Sequence, residues 1–89
     1  MAWTIEITGK TKRHLNKLDR DTSRRILHFL FDRLARLEDP RSLGEALKGS
    51  ELGEFWKYRV GDYRIIARIE DQKVQILIVR IGNRREVYR

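Results

Sequence analysis

Trp3, Ile5 and Ile7 alternate with Thr4 and Glu6, so the chain opens on a strand of period two. Thr8 then caps a helix carrying Lys10, Lys12 and Arg13, with Leu15 and Leu18 as its apolar contacts. The stretch Asp19-Arg20-Asp21 breaks that helix. The pattern next predicts a longer helix over roughly Thr22 to Glu38. Ile26, Leu27, Leu30, Phe31, Leu34 and Leu37 recur at three and four, and Arg24, Arg25, Asp32, Arg33 and Arg36 lie opposite. Pro40 stops it. A short turn makes the two helices an antiparallel hairpin.

Arg41 to Glu54 contains Gly44, Gly49, Ser50 and Gly53 and reads as a loop. Beyond it the pattern is β. Phe55 to Val60 is one strand, Gly61-Asp62 a two-residue turn, and Tyr63 to Glu70 the next strand. Asp71-Gln72 makes a second tight turn into a strand over Lys73 to Ile81, which Gly82 ends. Asn83 to Arg89 is a short charged tail. The expected fold is α+β in the order β-α-α-β-β-β, with the helical hairpin packed on a small, mostly antiparallel sheet.

A chain of 89 residues is expected to make one domain, with a core of modest size. The absence of Cys removes disulfides and Cys-based metal sites, and fits a reducing cytoplasm. The first residues lack the basic and long apolar runs of a signal peptide. The apolar run Ile76-Leu77-Ile78-Val79 is far too short to span a bilayer. The expectation is a soluble protein that does not enter a membrane. Lys and Arg number 20 against 13 acidic residues, a net charge of +7. That excess directs attention to polyanions.

The hairpin decides where the excess acts. With Gly61-Asp62 as the turn, Arg59 faces Arg64, Tyr58 faces Ile65 and Lys57 faces Ile66. Trp56, Tyr58, Val60, Tyr63, Ile65, Ala67 and Ile69 then form the core side, and Trp3 also reads as core. Lys57, Arg59, Arg64 and Arg68 form the other side. Like charges directly opposed across two strands are destabilising. An anion between them is the simplest reason for the arrangement, and phosphate suits the forked guanidinium. A merely solvated basic face is the bland alternative. The tail adds Arg84, Arg85 and Tyr88 beside the same strands. Tyr88 either stacks on a base or meets a ribose hydroxyl, or it packs the tail onto the sheet. His14 and His28 lie on the helices, are paired with no carboxylate, and read as surface or structural. No Ser-His-Asp set, GxGxxG or P-loop is present.

The run Phe55-Trp56-Lys57-Tyr58-Arg59-Val60-Gly61-Asp62-Tyr63-Arg64-Ile65-Ile66 and the tail Ile81-Gly82-Asn83-Arg84-Arg85-Glu86-Val87-Tyr88 resemble the RelE branch of the RelE/ParE toxin superfamily. So do Ala46-Leu47-Lys48-Gly49 and the element order, and the resemblance covers essentially the whole chain. It implies a toxin of a type II toxin–antitoxin pair that enters the ribosomal A site and cuts mRNA there, without metal or other cofactor. The 2′-hydroxyl of the mRNA attacks the adjacent phosphate, and a cognate antitoxin neutralises the toxin. The resemblance places Lys57 at a catalytic lysine and Arg59 where some members carry a second Lys proposed as general base. It places Arg64 at the phosphate-stabilising Arg, Arg84 at the Arg that protonates the leaving oxygen, and Tyr88 at a substrate-positioning Tyr. Arg68 and Arg85 are expected to add RNA contacts.

Three departures follow. Arg59 is a poor base, because a guanidinium does not readily lose its proton. Lys57 becomes the base candidate by elimination, since charges on Arg59 and Arg64 disfavour another beside them. Asn83 stands where many relatives carry His or Lys, and a chain ending at Arg89 is expected to lack the C-terminal helix of some members. The rival readings are a ParE-like toxin that inhibits DNA gyrase without cutting, and a plain RNA-binding domain.

Overall fold

The computed structural model describes residues 2–47 and 55–83. Among these the order is β1 (Thr4–Ile7), α1 (Gly9–Lys17), α2 (Arg20–His28), β2 (Glu45–Ala46), β3 (Phe55–Val60), β4 (Tyr63–Glu70) and β5 (Gln75–Asn83). The sheet runs β1-β5-β4-β3-β2. Only the β1–β5 pairing is parallel, and the other three are antiparallel. The α+β layering is as expected. The short β2, inside the stretch read as a loop, is an addition.

Local chemistry sets the helix starts. The Thr8 hydroxyl accepts from Thr11 N at 3.3 Å, as an N-cap should. Asp19, read as a breaker, is instead the cap of α2. Its carboxylate accepts from Thr22 N at 3.1 Å and from Thr22 Oγ1 at 2.6 Å. These bonds favour the charged form and hold the Asp19 carboxyl below its ordinary range. The second helix therefore starts at Arg20 rather than Thr22.

It also ends differently. After His28 the chain makes a π turn over Phe29–Arg33, then a 3₁₀ turn over Leu34–Arg36. The wider turn breaks the single apolar stripe. Ile26, Leu30 and Leu34 are fully buried, whereas Leu27 and Phe31 are exposed. Phe31 and Leu27 are thus not core residues, although their spacing suggested it. His28, expected to be unpaired, bonds through Nδ1 to Asp32 Oδ2 at 2.8 Å, one turn on.

The core unites Leu15 of α1 and Ile26, Leu30 and Leu34 with Tyr58, Val60, Ile65, Ala67, Ile76, Ile78 and Ile81 of the sheet. Trp3, Trp56 and Tyr63 pack against its margin, partly buried. The inward residues of β5 step by two and then by three. A β-bulge between Ile66 and Ala67 of β4 and their β5 partners explains this: Ile66 pairs with Arg80 but Ala67 with Ile78, leaving Val79 as the extra residue. Strict alternation from Ile78 would have put Arg80 in the core. The bulge turns Arg80 outward and Ile81 inward.

Two strand ends also depart from expectation. The Asp71-Gln72 turn is a 3₁₀ turn over Asp71–Lys73, closed by Val74 at φ 50°. That φ is costly for a β-branched residue. It is held by Val74 N donating to Asp71 O at 3.1 Å, while Val74 O accepts from Thr4 N at 3.0 Å and so docks β1. Gly82 does not end β5; it is buried, and the strand continues to Asn83.

Candidate phosphate site on the outer face of the sheet

The β3–β4 register is the one the turn dictates. Arg59 pairs with Arg64, Tyr58 with Ile65 and Lys57 with Ile66. Gly61 takes φ 59°, a left-handed value that glycine adopts without strain. Lys57, Arg59 and Arg64 therefore share the face away from the helices. They line a cavity of about 280 Å³ together with Leu43, Glu45 and Tyr58.

Arg64 carries the sharpest signal. Its Nη1 is buried and has no hydrogen-bond partner among the described residues. Buried donors are ordinarily paired, and an unpaired one costs about 1–3 kcal/mol or more when charged. Arg59 sits opposite, with Nε donating to the carbonyl of Gly61 at 3.3 Å. Across the other ladder Arg64 faces Gly82.

The wall of the cavity comes from a segment read as plain loop. Tyr58 donates its hydroxyl to the carbonyl of Pro40 at 2.8 Å, and its ring lies 6.0 Å from that of Phe29. Arg41 bridges to Asp71 through both guanidinium ends, at 3.1 and 2.6 Å, and lies 5.9 Å from the Trp56 ring centroid. That pairing favours the charged form of each partner and holds the Asp71 carboxyl below its usual range. Gly44 completes the closure. A Cβ there would come within 2.7 Å of the Tyr58 ring and 3.1 Å of the Lys57 carbonyl. The result is β2, which pairs Glu45 with Lys57 and brings Glu45 Oε2 to 3.6 Å from Lys57 Nζ.

Glu45 and Leu43 were missed by sequence reasoning. A two-residue strand has no periodicity to detect, and only Gly44 hints at close approach. Glu45 matters because its carboxylate offsets the field of Arg59 and Arg64 around the Lys57 amine. The elimination argument that makes Lys57 the base considered only cations, so it is incomplete. Arg68 is not part of the cavity. It stands four residues along β4 from Arg64 and pairs with Phe55 and Leu77. Arg84, Arg85 and Tyr88 lie outside the described residues. Asn83, which precedes them, pairs with Tyr63 beside the Arg64–Gly82 pair.

Tyr58 also gives the site a measurable pH limit. Burial, the dominant cause, pushes its hydroxyl up to about 12 from an ordinary 10. The folded state thus prefers the protonated phenol. Its contribution is fully present below pH 10 and fades as pH rises toward 12. In unfolding scans over that range, wild type should lose stability that Tyr58→Phe does not lose. At neutral pH the variant should be about 1–3 kcal/mol less stable, because the Pro40 carbonyl is left unpaired. Parallel pH profiles for the two proteins would show that the Tyr58 hydroxyl is not buried in the folded state.

Comparison with known proteins bears on the family and the fold. The family model described as the ParE toxin of the type II toxin–antitoxin system parDE matches residues 5–88. The toxin RelG of Mycobacterium tuberculosis is 32% identical over 89 residues, covering 100% of this chain and 99% of that protein. A chain of the crystallised toxin–antitoxin complex RelBE2 from the same organism superposes with a TM-score of 0.84 at 30% identity, covering 94% of this chain and 93% of that one. A chain of the archaeal RelE–RelB complex from Pyrococcus horikoshii OT3 gives a TM-score of 0.76 at 27% identity, covering 97% and 99%.

Proposed function

This chain belongs to the RelE/ParE superfamily of type II toxin–antitoxin toxins, as a RelE-type member, and from that premise we propose that it is a ribosome-dependent mRNA endonuclease. The observation that carries the reading is the buried Nη1 of Arg64, unpaired among the described residues, in a cavity shared with Arg59 and Lys57. It is a donor in want of an oxygen acceptor, on a face assembled against charge repulsion.

In the proposed reaction the 2′-oxygen of one nucleotide bonds to the adjacent phosphorus and loses its proton. The bond from phosphorus to the 5′-oxygen of the next nucleotide breaks, and that oxygen takes up a proton. The products are a 2′,3′-cyclic phosphate and a 5′-hydroxyl. Negative charge grows on the non-bridging oxygens as the pentacoordinate phosphate forms. Arg64 and Arg59 stabilise it, and Lys57 stands on the same face to take the 2′-proton. Arg84 is assigned to the leaving oxygen and Tyr88 to positioning the substrate, on the family resemblance. Arg68 and Arg85 are assigned to flanking RNA. The cavity holds no His, so its acid–base chemistry is weak by itself. The ribosome, by fixing the mRNA in line, supplies the orientation that such a site lacks.

The proposed partners are the ribosome with bound mRNA in the cytoplasm and a cognate antitoxin, as in the RelBE2 and RelE–RelB complexes. The family model is named for ParE, which keeps a gyrase-inhibiting toxin as the second reading. One experiment separates them. Purified protein is mixed with mRNA, with and without ribosomes, and cut sites are mapped by primer extension. Cutting is expected only with ribosomes. Intact mRNA on ribosomes, together with arrested DNA replication on expression, would overturn the nuclease reading.

A further inference from the structure

The short β2 covers only part of its neighbour. It pairs with Trp56 and Lys57, and among the described residues no strand lies beside Arg59 and Val60 at that edge of β3. A groove of about 420 Å³ opens there, between the strand edge and the second helix. Arg25 and His28 of α2, Phe29 and Arg33 of the π turn, Leu43 and Arg59 line it. That volume is in the range of small-ligand sites. No carboxylate is among the described residues lining it.

The groove combines an aromatic wall with cations. The Phe29 ring is half-buried and lies 6.0 Å from the Tyr58 ring, which the Pro40 carbonyl holds in turn. Arg25 Nη1 lies 3.4 Å from where a Cβ on Gly61 would stand, and Arg59 Nε donates to the Gly61 carbonyl at 3.3 Å. Two guanidinium groups therefore converge on the hairpin turn. Among the described residues neither Arg25 nor Arg33 is in an ion pair. His28 bonds to Asp32 through Nδ1, so Nε2 is the ring atom left for a partner. Phe29 and Arg33 stand in the π turn, a rare conformation that concentrates at functional sites.

Position ties the groove to the phosphate site. Arg59 and Leu43 line both cavities. An anion held between Arg59 and Arg64 has the groove as its immediate neighbour. A polynucleotide with one phosphate there brings the adjoining nucleoside within reach of Phe29. Unstacked bases are held by stacking on aromatic rings and guanidinium planes, and by hydrogen bonds to their edges. The groove supplies the ring in Phe29, the planes in Arg25 and Arg33, and an edge partner in His28.

We propose that the groove between α2 and the edge of β3 seats the base of the nucleotide beside the scissile phosphate, so that Arg25, Phe29 and Arg33 set the sequence preference of cutting. The proposal rests on the nuclease reading and adds to it a place where the substrate's sequence is read. Arg25 and Arg33 are exposed, so their removal leaves the core untouched.

The test uses the full-length protein in two measurements. In the first, a DNA trinucleotide is added and the Phe29 ring and the Arg25, Arg33 and Arg64 side chains are followed by NMR. DNA lacks the attacking 2′-hydroxyl and stays intact. Groove and Arg64 signals should shift over the same concentrations. Arg25→Ala/Arg33→Ala should melt like wild type and bind about ten-fold more weakly. Phe29→Leu, which keeps apolar bulk and removes the ring, should do the same, as expected for one lost base stack. In the second, cut frequencies are mapped over many codons with ribosomes present. In both variants the ratio between the most and the least cut codons should fall about ten-fold. Folded variants with the wild-type affinity and codon profile would overturn the proposal. So would a poly-glutamate peptide that shifts the groove signals where the trinucleotide does not, which would make the groove a site for acidic protein. Wild type that binds the trinucleotide through the groove yet cuts nothing on ribosomes removes the nuclease reading and leaves the groove as a base-binding site. Wild type that cuts, with both variants unchanged in profile, removes the groove alone.

Discussion

Arg64→Ala should abolish toxicity and lower ribosome-dependent cutting by about 10²–10³-fold, the usual loss for one preorganised donor to a developing oxyanion. The stability expected of this variant is what makes the test sharp. Most losses of a half-buried side chain destabilise, but Arg64 Nη1 has no partner to lose among the described residues. Arg59 directly opposite repels the guanidinium. The melting temperature should therefore hold or rise, so function and stability move apart. Arg64→Lys should recover little, because an ammonium restores charge without the fork that two phosphate oxygens need. Cutting is read by primer extension and folding by thermal melting. A folded Arg64→Ala protein that cuts mRNA at the wild-type rate would show that the reacting phosphate sits elsewhere.

The basis of that prediction was partly legible in the sequence. A two-residue turn and strict alternation leave only one register for Phe55 to Glu70, so the Arg59–Arg64 opposition follows from Gly61-Asp62 alone. The burial of Arg64 does not. Nor does its pairing with Gly82 across the β4–β5 ladder, since β5 runs past the glycine expected to end it. Glu45 beside Lys57 was illegible for a related reason. Its strand is two residues long and exists because Tyr58, Arg41 and Gly44 pull a distant segment against β3. Tertiary contacts of that sort leave no period in the sequence. The bulge at Val79 is another case: one residue out of step sends Arg80 outward and Ile81 into the core.

The helix after Asp19 shows the same limit, and it yields the largest expected effect on stability. An apolar stripe of unbroken helical period assigns equal weight to Leu27, Leu30 and Phe31. The π turn separates them: Leu30 is wholly buried, while Leu27 is 36% and Phe31 48% exposed. Leu30→Ala should cost about 2–5 kcal/mol, the transfer free energy of the lost methyl groups plus the cavity they leave. In a domain of this size that corresponds to a fall of roughly 10–25 °C in melting temperature. It is also a large share of a total that is about 5–15 kcal/mol in most proteins. Phe31→Ala, by contrast, should shift the melting temperature little, because an exposed ring buries little on folding. Leu30→Ala protein should also lose toxicity, for a reason opposite to that of Arg64→Ala. The unfolded fraction rises and is degraded, while the molecules that remain folded keep an intact site. Cutting per folded molecule, measured below the lowered melting temperature, should therefore match wild type. If Phe31→Ala proved the more destabilising of the two, the π turn would be aiming the wrong face at the sheet.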